Sequence, residues 1–312
     1  MYDVIGDIHG HADELVELLT TLDYSEQHGC FRHASRKAVF CGDFIDRGPQ
    51  IPDVFRIVRN MVEQDAALAV TGNHEFNALA WQTENPSVPG QHLRVHSDRN
   101  RKQHEQTLGQ FDAGELQEAL LWFGTLPVAL DLQELRVVHA CWDPVAIKYI
   151  NSQIPGGSLF APDFLQPATT PGDPLFDAVE CVLKGPELPL PDGVTVTDKE
   201  GHVRHRVRIR WFDSAEQQTW KSYALPRKPD LPAEPVPADA PAVPYPSDAP
   251  PVFVGHYWLQ GRRPAPLRAN VACLDYSVAR QGMLCAYRFN GESRLKAESF
   301  VTVLSRDLER LS

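Results

Sequence analysis

The first 80 residues alternate regularly between short apolar runs and stretches with helical spacing. Apolar, β-prone runs occupy residues 2–6, 38–41 and 66–70. Between the first two, leucines recur with helical spacing at positions 15, 18, 19 and 22, and a second helical pattern runs from Ile51 to Met61. Strands that alternate with helices at this spacing predict βαβ units, and therefore a parallel sheet covered by helices.

Further apolar runs at residues 135–140, 251–256, 271–275 and 283–289 continue the core later in the chain. With 312 residues, of which 43% are hydrophobic, the chain can bury a substantial core. We therefore predict an α/β fold of layered β-sheets flanked by helices, in a single domain of residues 1–312.

Two segments interrupt this pattern. Residues 82–110 are polar and are predicted to be an excursion over the surface. Residues 222–251 hold ten of the 26 prolines, a composition that favours an extended and poorly packed loop.

Polar side chains follow five of the predicted strands. GDIHG at 6–10, GDFIDRG at 42–48 and GNHE at 72–75 follow the first three, and the runs at 135–140 and 251–256 each bring one histidine. Ligands of open parallel sheets bind beyond the carboxyl ends of the strands, so we expect these side chains to meet at one rim. The candidate metal ligands are Asp7, His9, Asp43, Asn73, His139 and His256.

The chemistry of this set indicates a metal site. It combines carboxylate, amide and imidazole groups without a thiolate, which suits Mn²⁺, iron or Zn²⁺. Two such ions can share a carboxylate at roughly 3.5–4 Å separation. A lone histidine such as His28 is more often an ordinary surface residue, and it is the recurrence at five strand ends that supports the prediction.

Charge and cysteine usage restrict the partners and the compartment. The formal net charge is −11, which argues against a broad basic surface for nucleic acid or an anionic membrane. The six cysteines are dispersed and no apolar run approaches membrane-spanning length. Because the first residues already read as a strand, we expect no secretory leader. We expect a cytoplasmic protein whose thiols are mostly small core residues.

GDIHG, GDFIDRGP and GNHE, in this order, resemble the three sequence blocks of the calcineurin-like metallophosphoesterases. The forms GDxxDRG and GNHE resemble the phosphoprotein phosphatase branch and its bacterial relatives. The resemblance covers residues 1–80, 135–143 and 251–276. It implies a metallophosphoesterase-like fold, two divalent metal ions with manganese expected first, and hydrolysis of a phosphoester.

The resemblance also assigns the metal ligands. It implies that Asp7 and His9 hold one metal, that Asp43 bridges, and that a second metal is held by Asn73, His139 and His256. Two metals lower the pKa of a bridging water, so that a hydroxide nucleophile forms near neutral pH.

The same resemblance implies three residues that act on the substrate. His74 would be the general acid at the leaving oxygen, oriented by Asp46, and Arg47 would hold phosphate oxygens. A planar guanidinium suits the last role, because its donors match the geometry of a phosphate.

The fourth block leaves the substrate class open. HACWDP at 139–144 departs from the His-Gly-Gly run of phosphoprotein phosphatases, and its His-Ala form is closer to the symmetrical dinucleoside tetraphosphatases. We expect hydrolysis of phosphate monoesters in a phosphopeptide or nucleotide, with a symmetrical dinucleoside tetraphosphate as the alternative. A third hypothesis is a degenerate member that binds phosphorylated ligands without turnover, although the complete ligand set and the His74–Asp46 pair argue against it.

Residues 195–211, TVTDKEGHVRHRVRIRW, read as a hairpin with DKEG as its turn. Alternation places the even-numbered arginines from 204 to 210 on one face, and Val203, Val207, Ile209 and Trp211 on the other. One hypothesis is a solvated face neutralised by acidic residues. The other is that Arg208 and Arg210 reach the metal rim and bind a second phosphate or an acidic segment of the substrate.

The Arg- and His-rich stretch at residues 92–104 directly follows the predicted GNHE helix. We predict a polar surface loop here, with a lid beside the pocket as the alternative.

Overall fold

A computed structural model of the chain describes residues 1–197, 201–237, 240 and 243–306. Its strands are β1 Tyr2–Ile5, β2 Ser25–Gln27, β3 Cys30–Arg32, β4 Lys37–Phe40, β5 Ala67–Ala69, β6 Ala129–Asp131, β7 Arg136–Val138, β8 Glu187–Pro189, β9 Val196–Thr197, β10 Val203–Arg204, β11 Arg206–Arg208, β12 Val252–Val254, β13 Val271–Cys273, β14 Asp275–Tyr276, β15 Met283–Phe289 and β16 Phe300–Leu304. Its α-helices are α1 Ala12–Thr21, α2 Ile51–Glu63, α3 Asn73–Gln82, α4 Asp98–Gln110, α5 Ala113–Phe123, α6 Pro144–Gln153, α7 Pro162–Ala168, α8 Pro174–Lys184 and α9 Trp220–Tyr223.

Most of these strands belong to two larger sheets. The first has the order β14–β15–β1–β4–β5, with β16 also paired to β15. In it β1, β4 and β5 are parallel, while β14, β15 and β16 add antiparallel pairs. The second has the order β13–β12–β7–β6, with only β6 antiparallel. The predicted parallel arrangement therefore holds for the strands that precede the polar loops, and antiparallel strands extend both sheets.

The two sheets pack face to face. Alternate residues of their strands, including Val4, Val39, Val137 and Phe253, form one buried cluster between the sheets. The intervening residues of the same strands, such as Ile5, join a second cluster beneath the helices. Strands buried on both faces have no polar side, which explains their continuous apolar sequences. The predicted α/β fold of layered sheets flanked by helices is confirmed.

The first two helices follow the predicted periodicity. Leu15, Leu18 and Leu19 of α1 are buried, and Leu22 is buried immediately after it. In α2 the buried residues are Ile51, Val54, Phe55, Val58 and Met61, and a proline lies in the first turn, where its missing N–H costs no hydrogen bond. Each helix buries one stripe against the first sheet and exposes the other side.

The proline-rich loop is better packed than its composition suggests. Leu231 and Val236 are buried with Trp220 and Tyr223 of α9, and with Val207 of β11, in a separate small cluster. The expectation of a poorly packed segment is wrong for the described part of residues 222–251. Proline fixes the backbone without preventing the apolar residues between prolines from packing.

The polar excursion at residues 82–110 contains helix α4, so the predicted polar loop at 92–104 is wrong in its second half. Ser97 caps this helix, accepting a hydrogen bond from the backbone N–H of Asn100 at 3.3 Å. The helix is polar on nearly all sides, yet His104 and Thr107 are buried. Periodicity missed it because its buried face consists of polar residues.

The arginine-rich segment is not one continuous strand. β10 pairs with β9, whereas β11 pairs with β8 in a different two-stranded sheet, and the chain bends at His205. Val207 and Ile209 are buried as predicted, but Val203 is 60% exposed because it lies before the bend. Most of the predicted DKEG turn, residues 198–200, lies outside the described residues.

The cysteines are free thiols, and five of the six are buried, as predicted for core residues. Among the described residues, no helix has the length and apolar character needed to cross a membrane.

An ion-pair network anchors β1 to the far end of the chain. Asp3 is fully buried and accepts hydrogen bonds from Arg36 Nε at 2.8 Å and from the Tyr24 hydroxyl at 3.1 Å. Arg288 of β15 lies 3.3 Å from the same carboxylate. A buried carboxylate is stable only when its oxygens are met in this way.

We predict that Asp3→Ala lowers the free energy of unfolding by about 3 kcal/mol or more, because it leaves the buried guanidinium of Arg36 without its carboxylate. Urea unfolding followed by circular dichroism measures the change. The matched control is Arg56→Ala, which breaks an exposed pair with Asp53 and is expected to cost under about 1 kcal/mol. Equal losses in the two variants would contradict the prediction.

Candidate dinuclear metal site

The polar loops after the strands converge as expected. Asp7 and His9 follow β1, Asp43 follows β4, His139 follows β7 and His256 follows β12. Asn73 is the first residue of α3, just beyond β5. Parallel strands end at the same edge of a sheet, so the two sheets bring these side chains together. His256 is half-buried and the others are buried.

One group of ligand atoms surrounds the side-chain oxygen of Asn73. His256 Nδ1 lies 2.6 Å from Asn73 Oδ1, and His139 Nε2 lies 3.1 Å from it. The same His139 nitrogen is 3.4 Å from Asp43 Oδ1. Asp43, His139 and His256 thus present ligand atoms within 4.8 Å of one another, a spacing that suits a metal ion.

A second group lies on the other side of Asp43. His9 Nε2 is 3.6 Å from Asp43 Oδ2, and His9, Asp43 and His74 also present ligand atoms within 4.8 Å of one another. Asp43 belongs to both groups, which is the arrangement that a bridging carboxylate requires. This group contains the predicted ligand His9. It also contains His74, which the sequence predicts only as a general acid.

Asp7 belongs to neither of these two groups, but its carboxylate lies close to them, because Asp7 Oδ2 accepts a hydrogen bond from the backbone N–H of His256 at 3.0 Å. Asp7 Oδ1 and His9 Nε2 are buried and have no hydrogen-bond partner among the described residues. Buried polar atoms are rarely left unmet, so the binding of cations at this site would account for both atoms.

Backbone carbonyls orient two of the histidines. Nδ1 of His9 donates to the carbonyl of Ile45 at 2.9 Å, and Nδ1 of His139 donates to the carbonyl of Cys41 at 2.8 Å. Each bond leaves Nε2 as the atom that faces the rim, which is how proteins commonly fix metal-binding imidazoles.

Burial and mutual charge dominate the electrostatics. Burial raises the pKa of the Asp7 carboxyl well above its usual range. Burial also acts to raise the pKa of Asp43, but His139 and His74 outweigh it and hold that pKa well below its usual range. Burial acts to lower the pKa of His139, but the carboxylates of Asp43 and Asp7 raise it to about 10. The site thus gathers opposite charges in a place that excludes water.

Strained backbone conformations cluster at this rim. His9, Asp43, Asp46, Arg47 and His256 all have positive φ angles, between 46° and 73°. Residues other than glycine rarely adopt this region, and such residues concentrate at functional sites.

Glu75 holds the loop that carries Asp43. Its buried carboxylate accepts four backbone N–H groups, from Asp43 and Phe44 at 2.8 Å, Gly72 at 2.9 Å and Ile45 at 3.3 Å. Gly72 is required here, because a Cβ at that position would lie 2.2 Å from Asp43 Oδ1. Glu75 is not among the predicted site residues, although its place in GNHE, next to Asn73 and His74, is a signal that could have identified it.

His74 and Asp46 form the predicted pair. Nδ1 of His74 lies 2.5 Å from Asp46 Oδ2, and both side chains are buried. Two residues of α4 also hold Asp46: His104 Nδ1 lies 2.7 Å from Asp46 Oδ1, and the Thr107 hydroxyl donates to that oxygen at 2.5 Å. Neither residue is among the predicted site residues, because α4 carries no helical pattern of apolar residues.

Arg47, Arg208 and Arg210 make different contacts. The Arg47 guanidinium lies 4.3 Å from the centre of the Trp258 ring. Burial lowers the pKa of His256 well below its usual range, and the charge of Arg208 adds to this effect. Arg210 is instead paired with Asp213 at 2.6 Å and donates to the carbonyl of Leu267 at 3.1 Å.

Comparisons with known proteins agree with this geometry. The family model described as calcineurin-like phosphoesterase matches residues 2–152. Over 74 residues the chain is 45% identical to bis(5'-nucleosyl)-tetraphosphatase PrpE [asymmetrical] of Halalkalibacterium halodurans, a match that covers 23% of this chain and 30% of that protein. Over 141 residues it is 28% identical to bis(5'-nucleosyl)-tetraphosphatase, symmetrical, of Vibrio parahaemolyticus, covering 45% of this chain and 44% of that protein.

Among solved structures, the cold-active protein-tyrosine phosphatase of a psychrophilic Shewanella species matches with a TM-score of 0.48 and 16% identity. The match covers 97% of this chain and 80% of that one. The matched segments of the two tetraphosphatases span less than half of those proteins.

The family match spans β1 to α6 and therefore includes the loops that carry Asp7, His9, Asp43, Asn73 and His139. The resemblance seen in the sequence blocks is confirmed: residues 2–152 of this chain match the calcineurin-like phosphoesterase family.

Proposed function

We propose that this protein hydrolyses a phosphoester with the help of two divalent metal ions. The observation that carries the proposal is the meeting of two groups of ligand atoms, which share Asp43, with the 2.5 Å pair of His74 and Asp46. One side of the site is suited to bind cations and phosphate, and the other to deliver a proton.

The residues present fit two cations. Asp7, His9 and Asp43 would hold one ion, and Asp43, Asn73, His139 and His256 the other. When bound, such ions lower the pKa of water and neutralise charge on a phosphoryl group. The mixed oxygen and imidazole set suits manganese, which we expect first, and also iron or zinc.

His74 would act as the general acid. Its Nδ1 is engaged by Asp46, so Nε2 would face the substrate; this atom lies 3.5 Å from Gln103 Nε2 and 3.8 Å from Asp43 Oδ2. A proton on Nε2 would reach the leaving oxygen as the bond to phosphorus breaks. A positioned acid of this kind typically contributes on the order of 10²–10⁴ in rate.

Arg47 would hold the non-bridging oxygens of the scissile phosphate. Its guanidinium lies over the Trp258 ring, an arrangement that restricts the side chain. Binding then requires less loss of side-chain freedom than for an unsupported arginine.

Two substrate classes remain, and each has its own support. Phosphate monoesters, as in phosphopeptides, are the first candidate, since one arginine and two ions suffice to hold a single phosphate. Dinucleoside tetraphosphates are the second, because the two curated relatives described above are tetraphosphatases by name. Turnover distinguishes both from a protein that only binds phosphorylated ligands.

We predict that the metal-stripped protein reconstituted with Mn²⁺ hydrolyses at least one of four substrates: p-nitrophenyl phosphate, a phosphoserine peptide, a phosphotyrosine peptide and diadenosine tetraphosphate. Asp43→Asn is expected to abolish turnover of all of them, because both ions lose their shared ligand. His74→Ala is expected to lower kcat on the phosphoserine peptide by about 10²-fold or more.

The preferred substrate in this screen selects between phosphatase and tetraphosphatase. Absence of turnover on all four, in protein that binds two metal ions per chain, would overturn the proposed hydrolysis and favour a binding protein.

Gly255 offers a test of the Asp7 metal site. A Cβ at this position would lie 1.9 Å from Asp7 Oδ1, so Gly255→Ala is expected to push the carboxylate out of place. We predict a fall in Mn²⁺ affinity of about 10-fold or more by isothermal titration calorimetry, the size seen when groups that orient ligands are changed. Gly109→Ala is the matched control, because a Cβ there meets nothing within 4 Å. Unchanged affinity in Gly255→Ala would remove Asp7 from the ligand set.

The arginine-rich segment can be tested one residue at a time. Arg208→Ala is expected to raise KM by about 10-fold, because it removes one charge-assisted hydrogen bond to an anionic substrate. The metal content is expected to be unchanged. Both arginines lie 3.5 Å from Glu187, and Arg206→Ala is the control because Arg206 is the more exposed of the two. If KM is the same in both variants and in the parent protein, the segment is only a solvated face. We expect Arg210 to contribute less, because Asp213 already engages it.

A further inference from the structure

Helix α4 holds the Asp46 carboxylate by one of its oxygens. Oδ1 accepts from His104 Nδ1 at 2.7 Å and from the Thr107 hydroxyl at 2.5 Å, while Oδ2 is left for His74. His104 is 5% exposed and Thr107 is 0% exposed, so water does not compete for these bonds. Their spacing of three positions places both on the same face of the helix.

Thr107 also holds the Asp46 backbone. Its Oγ1 accepts the backbone N–H of Asp46 at 3.0 Å, so the hydroxyl proton is directed to the carboxylate of the same residue. Asp46 has a φ of 65°, a left-handed conformation that an aspartate adopts at some cost. Both the backbone and the side chain of this strained residue are therefore fixed from α4.

A carboxylate that makes one hydrogen bond can still rotate, because the terminal torsion of an aspartate has a broad energy profile. Asp46 has two donors on Oδ1, which fix this torsion and so fix the direction of Oδ2. The direction of Oδ2 in turn sets the orientation of the His74 ring, since that ring is bonded to it at 2.5 Å.

We propose that His104, supported by Thr107, is a positioning residue that holds the His74–Asp46 pair in the orientation needed to protonate the leaving group. The inference rests on the proposed function of His74. His104 itself touches neither the substrate nor the ligand atoms described above, and acts only through Asp46.

The chemistry gives this role a specific consequence. A serine alkoxide is far more basic than p-nitrophenolate, so its departure depends much more on a proton from an acid. A change in the orientation of His74 should therefore lower the rate of hydrolysis of alkyl phosphate esters strongly and that of p-nitrophenyl phosphate only slightly. A general loss of structure or of metal would lower the rates on both substrates together.

The test uses two substitutions at residue 104. His104→Leu removes the donor, whereas His104→Asn places an amide nitrogen near the position of Nδ1. We expect His104→Leu to lower kcat on a phosphoserine peptide by about 10- to 100-fold, with kcat on p-nitrophenyl phosphate changed by about twofold or less. His104→Asn is expected to restore most of the loss, and Thr107→Val to resemble a milder His104→Leu. Glu105→Gln, exposed on the same helix, is the control and leaves both rates unchanged.

An equal loss on the two substrates, or no loss on either, overturns the positioning role. These outcomes are separate from a failure of the proposed function, which would appear as absence of turnover in the unsubstituted protein.

A second measurement does not depend on turnover. In protein labelled with ¹⁵N-histidine, the Nδ1 protons of His74 and His104 should give slowly exchanging resonances, assigned with His74→Ala and His104→Leu. We expect the His74 resonance to shift and exchange faster with water in His104→Leu and to recover in His104→Asn. A His74 resonance unchanged by His104→Leu would overturn the proposal.

Discussion

The site depends on the burial of the Asp43 carboxylate at the end of β4. Removing such an ion from water costs several kcal/mol unless other groups meet it. The backbone N–H of His74 donates to Asp43 Oδ1 at 3.0 Å, and His139 lies 3.4 Å from the same oxygen. These contacts leave Asp43 Oδ2 facing His9 and His74, at 3.6 and 3.8 Å. The fold thus brings carboxylates and imidazoles together in an arrangement that suits a cation.

The loop that carries Asp43 and Asp46 has a strained backbone. Hydrogen bonds to residues outside the set of predicted metal ligands stabilise it. Glu75 gathers the backbone N–H groups of the Asp43 loop and Gly72, while Thr107 holds the backbone of Asp46. Residues with positive φ persist only when their surroundings determine them in this way. The loop after β4 is therefore held by α3 and by α4. The support from α3 lies next to the proposed metal ligand Asp43, and the support from α4 lies next to the proposed proton donor pair of His74 and Asp46.

Much of this was predictable from the sequence, for physical reasons. Parallel strands that are buried on both faces are apolar, and open α/β sheets bind their ligands beyond the carboxyl ends of the strands. Apolar runs followed by Asp7, Asp43 or His139 therefore predict both the sheet and the edge at which a site would lie. The face of α4 was not predictable from periodicity, because His104 and Thr107 are buried by polar contacts with Asp46 and so give no apolar pattern. The prediction for the arginine-rich segment was wrong for another reason. It assumed that side chains alternate along one continuous strand, whereas the bend at His205 separates β10 from β11.

The predicted metal ligands lie at the ends of core strands, whereas some of the residues proposed to act on or near the substrate lie on peripheral elements. The two parts of the site therefore differ in how well they tolerate change. The six predicted metal ligands follow strands of two packed sheets, where a shift in one ligand would disturb the core beneath it. Of the groups proposed to act on the substrate, Arg47 follows β4 in the same loop as Asp43, whereas Arg208 comes from a small separate sheet and the supports of His74 come from a polar helix. Loops and peripheral helices tolerate change better than sheet interiors. A site built in this way can keep its predicted metal ligands while the residues of the peripheral sheet and helix vary.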